Sequence, residues 1–235
     1  MKRQALILVA LFIASVSVQA QDLLSPSFSF SHKKTSYITL MDGTEIEGTI
    51  KDLDREKGLI EEVKIKDGAG KKYKFDADEI KYMYLPPSGF DKMNKALDFA
   101  TDMQKWTDDK LDQDFLNQGY VYFELADVKV KKKDRKLLMQ LLNPGFSKVV
   151  KVYHDPYAKE TMSAGVGGIK LVGGFAKSYY ISKQGRPAFR LKKKDYKEQF
   201  MPMWNSCKDL TKEYADQKWG DLVKHVLAFS ECKGK

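Results

Sequence analysis

The stretch LMDGTEIEGTI (residues 40–50) decides how the first half of the chain folds. Asp42-Gly43 is a strong signal for a tight hairpin turn, and the residues around it alternate between polar and apolar as strand residues do. Gly48 falls inside the second strand, where a glycine indicates a bend or the close approach of another backbone. The stretch therefore predicts two strongly bent antiparallel strands.

SYITL (residues 36–40) completes the first strand of the hairpin, and three further runs extend the β pattern. LIEEVKIKD, KYKF and EIKYMYL follow at the intervals of short antiparallel strands. Five short strands in about fifty residues predict a small SH3-like or Sm-like β-barrel over residues 36–87. Pro86-Pro87 ends the segment, because proline lacks the backbone donor that a strand needs.

Leu40, Gly43 and Gly48 also resemble the opening of Sm-type RNA-binding barrels. The second half of that motif, a glycine-anchored loop with a base-reading side chain, is not recognisable in EIKYMYL. An exported chain does not meet RNA as an ordinary partner. We therefore interpret the barrel as a scaffold and expect no nucleic-acid partner, with direct nucleic-acid contact as the alternative.

The first twenty residues have the composition of a secretory signal peptide. Lys2 and Arg3 form a basic start, an apolar run follows, and Val18-Gln19-Ala20 places small residues where a signal peptidase cleaves. The apolar run is too short to span a bilayer comfortably. We expect residues 1–20 to be removed and the mature chain to be exported, periplasmic or extracellular, without a transmembrane segment. An uncleaved N-terminal anchor is the alternative.

The composition favours a folded and moderately basic protein. Of 235 residues, 43% are hydrophobic and 12% aromatic, which is enough for a packed core and argues against global disorder. The formal charge is +9, and removing Lys2 and Arg3 leaves 39 basic against 32 acidic residues, a net charge of +7. This excess allows attraction to polyanions without requiring it.

The rest of the chain alternates between helical and β patterns. Residues 21–35 are Ser-rich and aperiodic, which predicts a flexible lead-in. Residues 88–118 start with a capping pair and carry apolar residues at near-helical intervals, which predicts a connecting helix. Residues 119–235 show short alternating runs followed by two helical patterns. The fold class is therefore α+β, with a β-rich C-terminal domain that ends in a helical tail.

The two cysteines, Cys207 and Cys232, each end an apolar stripe on a predicted helix. In exported proteins an even pair of cysteines is more often a disulfide than a metal site or a nucleophile. We expect a disulfide that ties two packed helices together. Two reduced, buried thiols are the alternative.

The sequence carries no recognisable catalytic, metal or cofactor motif. Gly-x-Ser-x-Gly, His-Glu-x-x-His and Cys-x-x-Cys are absent, and the glycines of SAGVGGIKLVGG (residues 163–174) favour hairpin turns over a phosphate-binding loop. His32, His154 and His225 are scattered, and His154-Asp155 is more typical of a turn than of a metal or acid-base site. We predict no catalytic residues, no metal and no cofactor, although a glycosidase-type carboxylate pair leaves no local signature.

Two basic triplets are the candidate anion-binding residues, Lys131, Lys132 and Lys133 and then Lys192, Lys193 and Lys194. The first falls at a predicted hairpin tip and the second between a strand and a helix cap, and both positions are typical of ordinary solvated surface. If the fold brings the triplets together with Arg135 and Arg190, they form a site for an anionic glycan or lipid head group.

Three segments of the C-terminal half form a series: LNPGFSKVVKVYHDP, GGIKLVGGFAKSYYISKQG, and KKDYKEQFMPMWNSC before a short helix ending in cysteine. The series resembles a family of uncharacterised secreted or periplasmic proteins of Bacteroidetes-type bacteria. Proteins of that family often begin with a barrel marked by the DGTEIEG pattern. The resemblance implies an envelope location and the late cysteine pair, and it brings no known activity or functional residues.

These observations favour an exported, non-enzymatic binding or protein-interaction module of the bacterial cell envelope. Small barrels and sheets offer edges and grooves to partners, here an unknown envelope protein or a glycan. A polyanion- or glycan-binding protein that uses the lysine triplets is the first alternative, and a glycan-active hydrolase is the second.

Overall fold

The computed structural model describes residues 23–88, 108–158, 165–166, 169–170 and 176–233. The predicted signal peptide and residues 89–107 of the predicted connecting helix lie outside the described residues. No helix in the described ranges is both long and apolar enough to cross a membrane.

The predicted opening hairpin is confirmed. β1 (Ser36–Leu40) and β2 (Glu45–Glu56) pair antiparallel. In the turn between them, Asp42 Oδ1 accepts a hydrogen bond from the Thr44 backbone N–H at 2.8 Å. Gly43 has a φ of +89°, a conformation that costs glycine little and other residues more. Local turn chemistry therefore sets the register of the first two strands.

Three more strands extend this hairpin, β3 (Leu59–Lys66), β4 (Lys72–Asp76) and β5 (Ile80–Leu85), with a 3-10 turn at Ala77–Glu79. Their hydrogen-bonded order is β4-β3-β2-β1-β5. At Gly48 the backbone at the end of β3 comes very close, since a Cβ there would be 2.3 Å from the Lys66 carbonyl oxygen. The close approach predicted at this glycine is confirmed.

The structure does not show the closed barrel predicted for residues 36–87. β5 pairs with β1 along one edge and with β6 (Val121–Val130) along the other, where Tyr84 lies opposite Tyr122. A strand has only two edges for main-chain hydrogen bonds. Over residues 82–84 both edges of β5 are occupied, and the five strands continue into a larger open sheet.

The C-terminal half supplies the other strands of that sheet, β7 (Lys133–Gln140), β8 (Val150–His154), β11 (Ser178–Lys183) and β12 (Ala188–Lys192). β7 pairs with β6, and the sheet continues from β6 through β12 and β11 to β8. Within the described residues this makes ten strands. Because β5 and β6 are hydrogen-bonded, the sheet is not interrupted at the predicted domain boundary near residue 119.

A separate two-stranded pair lies within the glycine-rich stretch. β9 (Gly165–Val166) and β10 (Ile169–Lys170) run antiparallel, with Ile169 opposite Val166. The hairpin predicted there is confirmed for the four residues that the structure describes.

The helical tail packs on one face of the C-terminal strands. It consists of three helices, α2 (Tyr196–Trp204), α3 (Lys208–Glu213) and α4 (Leu222–Lys233). The short helix α1 (Gln113–Asn117) lies earlier in the chain, before β6. Val152, Ile181 and Leu191 of the sheet share one buried core with Phe200, Trp204 and Phe229 of the helices. The α+β class with a helical tail is confirmed.

The predicted disulfide is also confirmed. Cys207 and Cys232 are bonded, with their Cα atoms 6.1 Å apart. Cys207 directly precedes α3 and Cys232 lies in the last turn of α4, so the bond ties two helices of the tail together.

The flexible lead-in predicted for residues 21–35 is at odds with the structure from residue 24 onward. The Leu24 backbone N–H donates to the Leu142 carbonyl at 2.8 Å, and Phe30 forms a bridge with Pro87. Leu24 and Phe30 are 8% and 5% exposed. The partners of these two apolar residues lie more than fifty positions away in the sequence, so local patterns gave no sign of their burial. The segment packs along the sheet.

Candidate binding cleft

A small cleft opens where four distant parts of the chain meet. The lead-in contributes residues 27–28, β2 and β3 contribute Arg55 and residues 58–60, and β7 contributes residues 138–140. His154 and Pro156, at and just after the end of β8, complete it with Phe123 of β6. The cleft is open to solvent on one side, and its volume of about 30 Å³ is room for roughly two water molecules.

The turn between β2 and β3 forms one wall of the cleft because it lies directly on the chain after β8. Gly58 has a φ of +85°, and a Cβ at that position would be 3.0 Å from the Pro156 Cβ atom. A larger residue at Gly58 would be strained by its φ and would press on Pro156.

The base of the cleft holds two buried polar side chains. Gln140 and Ser27 are 4% and 3% exposed. Gln140 Oε1 accepts the Ser27 backbone N–H at 3.2 Å, which fixes the orientation of the amide. Gln140 Nε2 and Ser27 Oγ have no hydrogen-bond partner among the described residues. Both atoms expose less than 1 Å² and are closed off from solvent. A buried polar group left unpaired costs about 1–3 kcal/mol, so the two groups lower the stability of the fold at this point.

Arg55 supplies a positive charge at the mouth of the cleft. Its Nη1 donates to the Phe28 carbonyl oxygen at 3.1 Å. Arg55 remains solvent-accessible, while partial burial lowers the pKa of its guanidinium below the ordinary value. In the part of the chain that the structure describes, no carboxylate forms an ion pair with it. A guanidinium has five N–H donors, so Arg55 has donors left for a ligand while one of them is bonded to the Phe28 carbonyl.

The two residues of the His154-Asp155 pair point to different places, as expected for a turn. His154 lines the cleft, and its ring meets the exposed ring of Phe28 edge to face at 5.4 Å. Asp155 is fully buried instead. Its Oδ2 accepts hydrogen bonds from Ser178 Oγ and Arg190 Nε, both at 2.5 Å.

The Asp155 contacts fix the chain that forms the cleft wall. Asp155 Oδ1 accepts the Tyr157 backbone N–H at 3.0 Å, and Arg190 Nη2 donates to the Tyr157 carbonyl oxygen at 3.2 Å. Pro156 lies between these two anchored residues. The ion pair of Asp155 and Arg190 is therefore a positioning element for the cleft, and Arg190 is committed to these contacts and not to a lysine site.

The lysine triplets lie away from the cleft. The first triplet is at the tip of the β6–β7 hairpin, where Lys133 lies opposite Val130, whereas Gln140 at the cleft lies opposite Phe123. Seven residues of strand separate Lys133 from Gln140, about 23 Å at 3.3 Å per residue. Because β6 and β12 are parallel and in register at Val128 and Ala188, the second triplet lies at the same end of the sheet as the first.

Two carboxylates do come together elsewhere, around Lys151. Its Nζ lies 2.9 Å from Glu124 and 3.2 Å from Asp108, and Tyr153 donates to Glu124 at 2.7 Å. Burial acts to lower the pKa of Lys151, but Glu124 and Asp108 outweigh it and raise the pKa. Both carboxylates are thus paired with a cation, which is the arrangement of a structural ion pair and offers no free general base.

His225 is buried in the tail. Tyr196 Oη accepts from Trp204 Nε1–H at 3.2 Å and shares a hydrogen bond of 2.6 Å with His225 Nδ1. Burial lowers the pKa of His225 to about 4, against opposing contributions from Asp221 and Asp216. His225 is therefore neutral at pH 7.

The low pKa of His225 predicts a loss of stability in mild acid. Between pH 6.5 and 4, His225 is protonated in the unfolded chain but stays neutral in the folded chain. The free energy of unfolding therefore falls as the pH falls over this range. We expect the free energy of unfolding to drop by roughly 2 kcal/mol between pH 6.5 and 5, measured by urea unfolding. His225→Phe keeps the ring packing and should flatten this slope; an unchanged slope in the variant would contradict the assignment.

Comparison with known proteins adds no outside assignment, because no known protein family, curated protein or solved structure matches the chain. The cleft must be interpreted from its own residues. Sequence reasoning missed them because they lie far apart: Ser27 and Gln140 are separated by 113 positions and become neighbours only in the fold.

Proposed function

We propose that the protein is an exported, non-enzymatic binding or protein-interaction module of the bacterial cell envelope, and that the cleft is its binding site. The observation that carries this proposal is the mouth of the cleft, where the ring of Phe28 is 54% exposed beside the solvent-accessible guanidinium of Arg55. Aromatic and arginine side chains are enriched where proteins bind one another.

Export is part of the proposal. The basic and apolar start of the sequence supports it. The disulfide between Cys207 and Cys232 is compatible with it, because such bonds persist in oxidising compartments. The resemblance to secreted proteins of Bacteroidetes-type bacteria points the same way.

Phe28 gives this proposal a direct test. It lines the cleft and is 54% exposed, so a photo-reactive phenylalanine analogue at this position keeps an aromatic ring in place. We expect cross-linking in intact cells of the native host to give a discrete protein adduct from position 28. Met201 is 47% exposed on α2 and is the matched control position, from which we expect no such adduct.

Adducts of equal yield from both positions, or none from either, would contradict a binding role for the cleft. The polyanion- or glycan-binding alternative keeps one observation in its favour, since both lysine triplets lie at one end of the sheet. Glycan binding by the purified protein that weakens steeply with added salt would favour that alternative.

A further inference from the structure

We propose that the protein has a second binding surface, separate from the cleft, and that this surface binds an anionic polysaccharide. The surface is the sheet face from which Lys133, Arg135 and Lys192 project, at the tip of the β6–β7 hairpin and the end of β12, and we call it the basic face. This inference goes beyond the proposed function, because it concerns other residues and another class of ligand.

Two short segments carry the whole positive excess of the mature chain. Residues 129–136 hold six cations and one carboxylate, and residues 192–195 hold three cations and one carboxylate. The excess of seven positive charges in these twelve residues equals the net charge of +7 that remains after removal of residues 1–20. The rest of the mature chain is therefore balanced, and attraction to a polyanion is concentrated where these two segments lie.

The register of the sheet brings the two segments side by side. Val128 of β6 lies opposite Arg135 of β7 along one edge and opposite Ala188 of β12 along the other. Lys192 follows Ala188 by four residues, about 13 Å of strand, and so lies level with the hairpin tip. Residues paired across strands project to the same side of a sheet, as do residues two apart on one strand. Lys133, Arg135 and Lys192 therefore share one face.

The opposite face of the same hairpin is balanced in charge. Lys136 forms an ion pair with Asp127 at 3.0 Å, and Lys129 lies opposite Asp134 in the ladder. On the basic face, by contrast, none of the three cations forms an ion pair with a carboxylate of the described ranges. The register thus sorts the carboxylates of the hairpin onto one face and leaves the other with positive charge only.

The three cations of the basic face are open to a ligand. Lys133 and Arg135 are exposed, and Lys192 is half-buried. Arg190 projects from the same face two residues before Lys192, but its charge is balanced by the buried Asp155. Like charges that share one face of a sheet repel each other, so a bound anion stabilises this part of the fold.

The spacing of the cations favours a chain of anions over a single small one. Lys133 and Arg135 are two positions apart on β7, about 7 Å, and β12 lies two strand spacings from β7, about 10 Å. A polymer that repeats its charge can meet each cation with a separate anion.

The composition of the surface favours a polysaccharide over a protein or a membrane. Protein interfaces are enriched in aromatic residues and depleted in lysine, and binding to a bilayer surface depends on buried apolar area as well as on charge. Among the described residues, the β6–β7 hairpin and β12 include none of the exposed large hydrophobic side chains, which are Phe28, Met41, Tyr157 and Met201. Binding here rests on charge, which suits a hydrated polymer with repeated carboxylate or sulfate groups.

The test compares two double variants of the full mature chain that change the net charge equally. Lys133→Gln with Arg135→Gln removes two cations from the basic face, and Lys129→Gln with Lys136→Gln removes two from the opposite face of the same hairpin. The probe is heparin, a linear sulfated polysaccharide. We expect the first variant to bind heparin roughly tenfold more weakly than the parent, from the loss of two exposed charge contacts, and the second no more than about twofold more weakly. Equal losses would overturn the inference, because binding would then follow net charge alone.

A single variant tests whether β12 belongs to the same surface. Lys192→Gln should weaken heparin binding roughly threefold. Lys81→Gln removes a charge from an exposed position on β5 and should bind as the parent does. Equal binding by these two variants would overturn the inference that the two segments act together.

Further probes decide the class of ligand. Polygalacturonate carries carboxylates where heparin carries sulfates, and salt-sensitive binding of either one supports an anionic polysaccharide. Uncharged dextran should not bind. Tighter binding of poly-glutamate, or of vesicles made from equal parts of phosphatidylglycerol and phosphatidylcholine, than of both charged polysaccharides would overturn the inference, as would equal binding of dextran.

This inference and the proposed function can fail separately. Lys133 lies about 23 Å along β7 from Gln140, so the variants of the basic face leave the cleft unchanged. If position 28 gives no adduct in cells while heparin binding depends on the basic face, the cleft proposal alone is wrong. If the adduct forms and neither charged polysaccharide binds, the inference about the basic face alone is wrong.

Discussion

Asp155→Ala is expected to lower the free energy of unfolding by about 3–4 kcal/mol. The substitution removes the acceptor for Ser178, Arg190 and the Tyr157 backbone N–H in one step. Asp155 is fully buried and Arg190 is 32% exposed, so the pair is shielded from water and the remaining groups cannot all regain hydration. Urea unfolding followed by tryptophan fluorescence measures the loss.

A surface carboxylate provides the matched control for this variant. Asp127 pairs with Lys136 at 3.0 Å, but its side chain is 64% exposed. Exposed pairs contribute about 0–1 kcal/mol, so Asp127→Ala should be nearly neutral. Asp155→Asn keeps an acceptor for the Tyr157 backbone N–H, so its loss of unfolding free energy should lie between those of Asp127→Ala and Asp155→Ala. If Asp155→Ala and Asp127→Ala lose equal stability, Asp155 has no special structural role.

Removing the disulfide should cost about 3–4 kcal/mol in a Cys207→Ala and Cys232→Ala double variant. The bond closes a loop of 25 residues and restricts the unfolded chain, an entropic effect that grows with loop length. Cys207 is also 3% exposed and packs in the core of the tail, so its loss removes some packing as well.

The parent protein serves as the control for the disulfide. Adding dithiothreitol during urea unfolding should destabilise the parent by a similar amount and leave the double variant unchanged. A double variant as stable as the oxidised parent would show that the bond has no role in stability, whatever its geometry.

Sequence reasoning succeeded where structure depends on neighbouring residues. The turn at Asp42-Gly43 and the close approach at Gly48 follow from local backbone chemistry, and the disulfide follows from two cysteines placed on apolar helix stripes. Alternation and helical spacing likewise predicted the β-rich part and the helical tail. Apart from the pairing of the two cysteines, each of these signals lies within a few residues of the feature that it predicts.

It failed where a distant partner decides the outcome. The barrel prediction considered residues 36–87 alone, but β5 also pairs with β6 of the following segment, and the sheet continues. The lead-in looked flexible because no nearby residue explains the burial of Leu24 and Phe30, whose partners are Leu142 and Pro87. The cleft could not be predicted for the same reason, since its lining residues come from distant segments that no short motif connects.

The hydrogen bond between the Ser27 backbone and Gln140 also determines when the cleft can form during synthesis of the chain. Ser27 emerges early in synthesis, yet its partner lies 113 residues later, and the wall at His154 and Pro156 later still. Contacts of such long sequence separation slow folding, because the closure of a large loop must precede them. The cleft can therefore form only after residues 138–156 have been synthesised, when most of the chain is already complete.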